Sequence, residues 1–304
     1  MTTSTQVATS AGTAIPARAS PSVARSPSAE GSSSAVASTS TSTPIATSPS
    51  VARWLAVLLL VLLLAGWEWV ARRPGISALV LPAPTAVADA LWAGFATGYF
   101  VPHLAATLLA LSLGLAGGSL AGLVIGALLA EFTLLEKVLR PYVVVSQVVP
   151  KLALAPLFVL WFGFGVLPTT LITALICFFP LMENALTGLQ HVDAQRLQLF
   201  RMLGATRLQT LLRLKLPASL PGILAGLRVA VVLALVGTVV GEFISASEGL
   251  GAVIIAAQGS MDTSLMFAAL LLVSLIGLLL YQAVLILERR LLRPWTDSPV
   301  EAPR

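Results

Sequence analysis

Charge is scarce in this chain. Asp, Glu, Lys and Arg supply only 10% of its 304 residues, where a soluble domain carries roughly a quarter. With 57% hydrophobic residues and a mean hydropathy of +0.93, the composition excludes an ordinary soluble domain and leaves an integral membrane protein. The single cysteine, Cys177, rules out a disulfide within the chain, and inside the apolar run LITALICFFP it reads as a small buried hydrophobe. The two histidines, His103 and His191, fall on opposite predicted sides of the membrane. There is no H-E-x-x-H, no G-x-S-x-G and no Cys/His-rich spacing, so neither a metal site nor a His-based catalytic site is expected, and each His marks a polar helix end. The three lysines, Lys137, Lys151 and Lys215, do not follow glycines in a G-x-x-x-x-G-K-[ST] pattern, so this chain is not expected to bind ATP in the P-loop manner. The formal charge of +5 comes from basic residues at the ends of apolar runs, with no interleaved aromatics. That pattern orients a membrane protein and gives no footprint for nucleic acid.

What the chain has in abundance is long apolar runs. Stretches able to cross about 30 Å of hydrocarbon lie near 54–71, 104–130, 142–162, 168–187, 221–244 and 265–287. Runs such as LAVLLLVLLLAG do not alternate, which argues against a β-barrel and for an all-α membrane protein of six transmembrane helices. Residues 1–50 are nearly all Ser, Thr, Ala, Pro, Val and Gly, with Arg18, Arg25 and Glu30 as the only charges, and read as a disordered tail. No apolar core follows a basic start there, so a secretory signal is not expected; the first such core, Trp54 to Val70, is long enough to stay as an anchor. The transmembrane domain is placed at 51–295, followed by a short tail over 296–304. Six spans put both termini on one side. Arg53, Lys137, Arg140, Arg196, Arg201, Arg207, Arg213, Lys215, Arg289, Arg290 and Arg293 share that side, against Arg72 and Arg73 opposite. The basic side is expected to be cytoplasmic, in a multi-pass protein of the cell membrane.

Two patterns within this layout carry structural meaning. Gly114, Gly118, Gly122 and Gly126 recur every four residues, forming one stripe down the second span that admits a close helix neighbour. Between the fourth and fifth spans lies a polar island from Gln198 to Pro217, QLFRMLGATRLQTLLRLKLP. Asp193 is placed to cap a short helix whose Leu197, Phe200 and Leu203 form an apolar ridge beside Gln195, Arg196 and Arg201. Gly204, followed by Ala205, supplies a left-handed stop. Thr206 and Gln209 then form a capping box opening a second short helix, expected to end at Pro217, with Ser219 and Pro221 in the first turn of the fifth span.

This island resembles the cytoplasmic loop of binding-protein-dependent ABC importer permeases, with the pattern E-A-A, three residues, G, nine residues, I-x-L-P. Gly204 stands at the glycine, and Leu214, Leu216 and Pro217 at I, L and P. Gln198, Leu199 and Phe200 replace E-A-A, so the family's glutamate is absent. The likeness extends from Leu81 to Pro294 through LPAPTAV, VVPKLALAPLFVLWFGFG, FFPLMENALTGL, LPASLPGILAGLR and GEFISASEGLG. Together these resemble the nitrate, sulfonate, taurine and pyrimidine-precursor branch. The resemblance implies a type I ABC importer permease architecture and no catalysis by this chain. It also implies cytoplasmic ABC ATPase subunits carrying ATP and Mg, an extracytoplasmic solute-binding protein, and a second permease copy or paralogue.

Under that resemblance the loop over 189–220 is the handle that the ATPase grips, through Asp193, Arg196, Leu197, Phe200, Arg201, Leu203, Gly204, Ala205, Leu216 and Pro217, the other reading being a basic amphipathic helix lying on the bilayer surface. Apolar packing stands in for the missing carboxylate. The implied solute is a small anion or metabolite, such as a sulfonate, a nitrate-like anion or a thiamine-precursor pyrimidine. For the solute path, Lys151, between Pro150 and Leu152 in an apolar segment, is a candidate for attracting an anion, with snorkelling to the interface or a backbone carbonyl partner as the other reading. Asn184, beside Glu183, either bonds across helices or reaches the channel. Glu242 and Glu248 are read as solvating a helix end, with contact to the binding protein as the alternative. A self-contained secondary transporter or channel is the second functional reading and a membrane-embedded enzyme the third. The former calls for mid-span carboxylates or a repeat of broken helices, the latter for a nucleophile–base set.

Overall fold

A computed structural model describes residues 49–296 apart from Ala246. Of the expected tail over 1–50 only Pro49 and Ser50 fall among the described residues, and of that over 296–304 only Thr296; the rest lies outside them. The elements below belong to one compact unit that begins at Arg53, apart from the first residues of α1. All its regular elements among the described residues are helical.

The order begins with α1 (Pro49–Ala71), α2 (Pro84–Ala96) and α3 (Phe100–Glu131). Next come α4 (Thr133–Val148), a 3-10 turn (Lys151–Leu154), α5 (Ala155–Phe162), α6 (Val166–Gln190), α7 (Ala194–Met202) and α8 (Arg207–Thr210). A π turn (Leu211–Lys215) leads into α9 (Leu216–Ser245), followed by α10 (Leu250–Gly259) and α11 (Thr263–Thr296). Five helices are long and apolar enough to cross a membrane, six if the bent pair formed by α4 and the Lys151–Phe162 segment is one span. On α1 every side chain from Trp54 to Leu64 is exposed, a surface that water would not tolerate and that hydrocarbon accommodates.

Two expectations are corrected here. The third span, expected as one helix over 142–162, bends by 80° between Val148 and Lys151. Pro150 has no N–H to donate and pushes Val149 out of the helical region, to ψ 126°, so the ladder breaks at that pair. Pro217, in contrast, does not end the second short helix of the island. The helix runs on from Arg207 to Ser245. The π turn immediately before Pro217 shifts the hydrogen-bond register by one residue, which lets the chain pass the missing N–H without stopping.

At the centre stands α6, gripped on two sides by helices that lack side chains where they touch it. Gly114, Gly118, Gly122 and Gly126 of α3 are all buried. A Cβ at Gly114 would come within 2.6 Å of Thr173, one at Gly126 within 2.6 Å of the Met182 carbonyl, and one at Gly118 would collide with the Ala174 backbone. From α9, a Cβ at Gly226 would meet Asn184 at 2.7 Å, and Gly237 and Gly241 lie against Ile176 and Thr169. Hydroxyl pairs lock the second seam: Thr169 with Ser245 at 2.7 Å and Thr173 with Thr238 at 2.9 Å, all four buried. Cys177 is fully buried there, its Sγ donating to the Ala230 carbonyl.

At the far end of this trio α10 begins inside the fold, and its first amides are received by side chains from two other helices. Gly249 N donates to His103 Nδ1 at 3.1 Å, Leu250 N to Thr107 Oγ1 at 2.8 Å and Gly251 N to Glu242 Oε2 at 2.7 Å. Glu242 is therefore not a solvated helix end. It is buried, and its carboxylate takes up one orphan donor of a helix start, the amide of Gly251. Glu248 is exposed.

The glycine seam gives a paired test. Gly118→Ala sets a methyl against α6 backbone, an overpacking that costs about 1–3 kcal/mol. At Gly117, one residue away with nothing within 4 Å, Ala should be neutral or stabilising. Thermal unfolding in detergent should show a lower midpoint for Gly118→Ala only; equal midpoints would contradict the seam.

Candidate functional site: the elbow and the central cavity

The polar island folds as two helices meeting at a glycine. Asp193 Oδ1 accepts from Gln195 N at 3.0 Å and opens α7, while Arg196 pairs loosely with the same carboxylate at 3.7 Å. After α7 the chain turns through Gly204 at φ +70°, with Gly204 N donating to the Arg201 carbonyl and Ala205 N to the Phe200 carbonyl. That pair of bonds is a Schellman stop. Thr206 follows at once as the cap of α8: Gln209 N donates to Thr206 Oγ1 at 3.2 Å, and Thr206 N donates to Gln209 Oε1 at 2.9 Å. Three consecutive local devices thus fix the angle of the elbow with no tertiary partner.

The elbow's apolar residues divide between two faces. Leu197 and Phe200 are half-buried, turned toward the body of the protein. Leu203 is 73% exposed, together with Met202 at 85% and Leu208 at 64%. Met202 and Leu208 are part of this outward knob and were not singled out by the ridge reading, because spacing along α7 alone does not tell which side the body of the protein lies on. Leu216 and Pro217 sit beyond the elbow, on the rising helix, and are half-buried. A salt bridge from Lys215 to Glu131 ties the base of that helix to the end of α3. No local signal announces this pair, whose members stand 84 residues apart.

A groove-like cavity of about 620 Å³ opens along one side of α6. It is walled by the α4 break, by the middle of α6 and by α9, and Lys151 and Asn184 both line it. Lys151 Nζ lies 4.6 Å over the Phe179 ring and 3.4 Å from the Gln147 carbonyl, held by a cation–π contact and a long hydrogen bond. Asn184 Nδ2 donates to the Pro180 carbonyl at 2.8 Å, which leaves its side-chain oxygen uncommitted within its own helix. Gln147 and Glu183 add two polar groups to otherwise apolar walls. Among the described residues neither Lys151 nor Glu183 has an ion-pair partner, so the cavity holds one charge of each sign uncompensated by a direct contact. The bend between Val148 and Lys151 is what turns Lys151 onto α6.

The elbow and the cavity are joined by one piece of backbone. The helix from Arg207 to Ser245 starts at the elbow and supplies Val229, Leu233 and Val236 to the cavity wall.

Comparison with known proteins places this geometry. The family described as "Binding-protein-dependent transport system inner membrane component" matches residues 118–293. The riboflavin transport system permease protein of Chloroflexus aurantiacus is 38% identical over 79% of this chain and 89% of its own length. The formylaminopyrimidine transport permease protein of Halalkalibacterium halodurans is 37% identical over 78% and 94%. The taurine transport system permease protein of Escherichia coli is 34% identical over 79% and 89%. Among solved structures, an inward-facing MetNI methionine ABC transporter shares the fold with a TM-score of 0.55 at 18% identity, covering 62% of this chain and 94% of that one. With more than half of its length in the family match and relatives above 30% identity along most of it, the chain belongs to the binding-protein-dependent ABC importer permeases, in their sulfonate, taurine and pyrimidine-precursor branch.

Proposed function

We propose that this permease forms the solute path of an ABC importer and takes its driving motion from separate ATPase subunits through the elbow at 193–217. The observation that carries the proposal is the unbroken helix from Arg207 to Ser245, with the elbow at one end and the cavity wall along its length. Met202, Leu203 and Leu208 form an apolar knob suited to a cleft on a partner, and Arg196, Arg201 and Arg207 its charged surroundings. Leu197, Phe200 and Ala205 back the knob from beneath, Asp193 and Gly204 fix its angle, and Leu216 and Pro217 join it to the span. When the ATPases close on ATP, the knob is displaced, and α9 carries the displacement to the cavity, favouring one of two packings of the spans. ATP and Mg belong to the ATPase, and this chain performs no chemistry of its own.

The excess of Lys and Arg at the elbow end supports a cytoplasmic position for that end in a cell-membrane protein, with both termini on the same side. A solute-binding protein then delivers solute at the α10 end, and a second permease copy or paralogue completes the path. The solute is a small anion or metabolite of the kind named for the relatives, among them sulfonates, taurine and formylaminopyrimidine. Lys151 supplies the positive charge that draws an anion into the cavity, and Asn184 a neutral hydrogen-bonding group beside it.

Two outcomes follow for the importer reconstituted with its ATPase and binding protein. Gly204 has open space around it, so Gly204→Val is strained only through its positive φ, a cost of about 1–2 kcal/mol per residue and enough for roughly tenfold loss of coupling. Solute-stimulated ATP hydrolysis and uptake should fall together while membrane insertion is unchanged, and Gly204→Asn, which tolerates the left-handed region, should retain both. Full coupling in the valine variant would remove the elbow from the mechanism. For the cavity, Lys151→Ala should depress uptake of a sulfonate more than that of an uncharged solute, and Lys151→Arg should restore it. An equal effect on both solutes would make the lysine structural.

A further inference from the structure

Beneath the elbow is a second cavity, of about 700 Å³ and open on one side, between the turn that joins α3 to α4 and the inner face of the elbow, with Arg201 and Arg207 exposed on its rim. Its charged lining is Glu131, Arg201, Arg207 and Lys215. Lys215 and Glu131 neutralise one another in their salt bridge. Arg201 and Arg207 have no carboxylate partner among the described residues, whereas Arg72, Arg140, Arg196 and Arg228 each have one. Three cations against one carboxylate leave the lining two positive charges in excess, on side chains facing a shared space. Two guanidinium groups so placed repel each other unless an anion lies between them, and guanidinium is matched in geometry to phosphate.

The lip of this cavity is apolar. Phe132 and Leu134, 49% and 77% exposed, stand at its mouth where the membrane-spanning helix α3 ends. A small soluble anion would satisfy the arginines and leave these side chains bare. A phospholipid satisfies both, with its phosphate inside and an acyl chain along the lip. We infer that the cavity binds the phosphate head group of an anionic phospholipid from the leaflet at the elbow end. Arg201 lies in the last turn of α7 and Arg207 in the first turn of α8, so one phosphate reaches both sides of Gly204. The lipid braces the elbow against the α3–α4 turn, and the charge of the surrounding leaflet sets how firmly. The inference needs only that the chain is embedded in a bilayer, and stands whether or not the elbow docks an ATPase.

The test uses the full chain in an uncharged detergent, with dioleoyl phosphatidate, dioleoyl phosphatidylcholine and inorganic phosphate as probes. Bound lipid is counted by native mass spectrometry, and the thermal midpoint is followed with each probe. Phosphatidate should bind and raise the midpoint, phosphatidylcholine should not, and the double variant R201Q/R207Q should bind phosphatidate at least about tenfold more weakly. Arg213→Gln, at an exposed arginine outside the cavity, should bind as the wild type does. If the double variant fails to fold by circular dichroism, Leu134→Glu, at an exposed position on the lip, should weaken phosphatidate binding in its place. Inorganic phosphate matching phosphatidate, with the same loss in R201Q/R207Q, would keep the anion site and overturn its assignment to a lipid. Equal phosphatidate binding by the wild type and the cavity variants, or an equal loss in Arg213→Gln, would overturn the site.

Discussion

The whole arrangement depends on how closely α3 and α9 approach α6. In a bilayer apolar side chains gain little by meeting each other, because lipid tails are as apolar as leucine; what holds helices together is close packing and the hydrogen bonds it permits. Removing Cβ atoms at Gly114, Gly118, Gly122 and Gly126 brings α3 onto the backbone of α6, and Gly226, Gly237 and Gly241 do the same from α9. That closeness puts Thr169 and Thr173 within hydroxyl reach of Ser245 and Thr238. Larger residues along either seam would separate the helices and break those bonds, and the central cavity would lose its fixed wall.

Around this trio the irregular backbone falls beside the cavity and at the elbow. The break at Val149–Pro150 leaves carbonyl groups that hydrocarbon would not tolerate, and it lies beside a cavity, against the middle of α6. The same break turns Lys151 inward onto Phe179. At the elbow end the π turn keeps the helix continuous past Pro217, so the chain has one span interrupted beside the cavity that Lys151 lines and another kept whole from the elbow to the cavity wall.

Features that depend on residues within a few positions of one another were legible in the sequence. The Asp193 cap, the left-handed Gly204 and the Thr206–Gln209 box are all satisfied within their own segment, so composition and spacing determine them. The expected stop at Pro217 failed because proline disfavours one hydrogen-bond register, and a π turn offers another. Glu242 was misread for a different reason: its partner, the amide of Gly251, belongs to a short helix, α10, that falls in none of the long apolar runs, and the helix start it caps also needs His103 and Thr107 from α3, more than 140 residues away. A glutamate followed within nine residues by two glycines flanking a leucine is the signal that could have suggested it. The sharing of one cavity by Lys151 and Asn184 likewise has no sequence mark, since it exists only once the third span bends.

The helix from Arg207 to Ser245 has 39 residues, about 58 Å at 1.5 Å per residue, nearly twice the ~30 Å of a bilayer's hydrocarbon. Packed on α6 from Ser219 upward and tied to α3 through Lys215, it extends beyond the trio only over its first turns. A tilt of about 5° about Ser219, ~18 Å from the elbow, moves the elbow about 1.6 Å, and moves Val229 in the cavity wall, ~15 Å beyond the same point, about 1.3 Å the other way. The geometry therefore passes travel on almost undiminished: whatever shifts the elbow shifts the wall by a similar amount in the opposite sense.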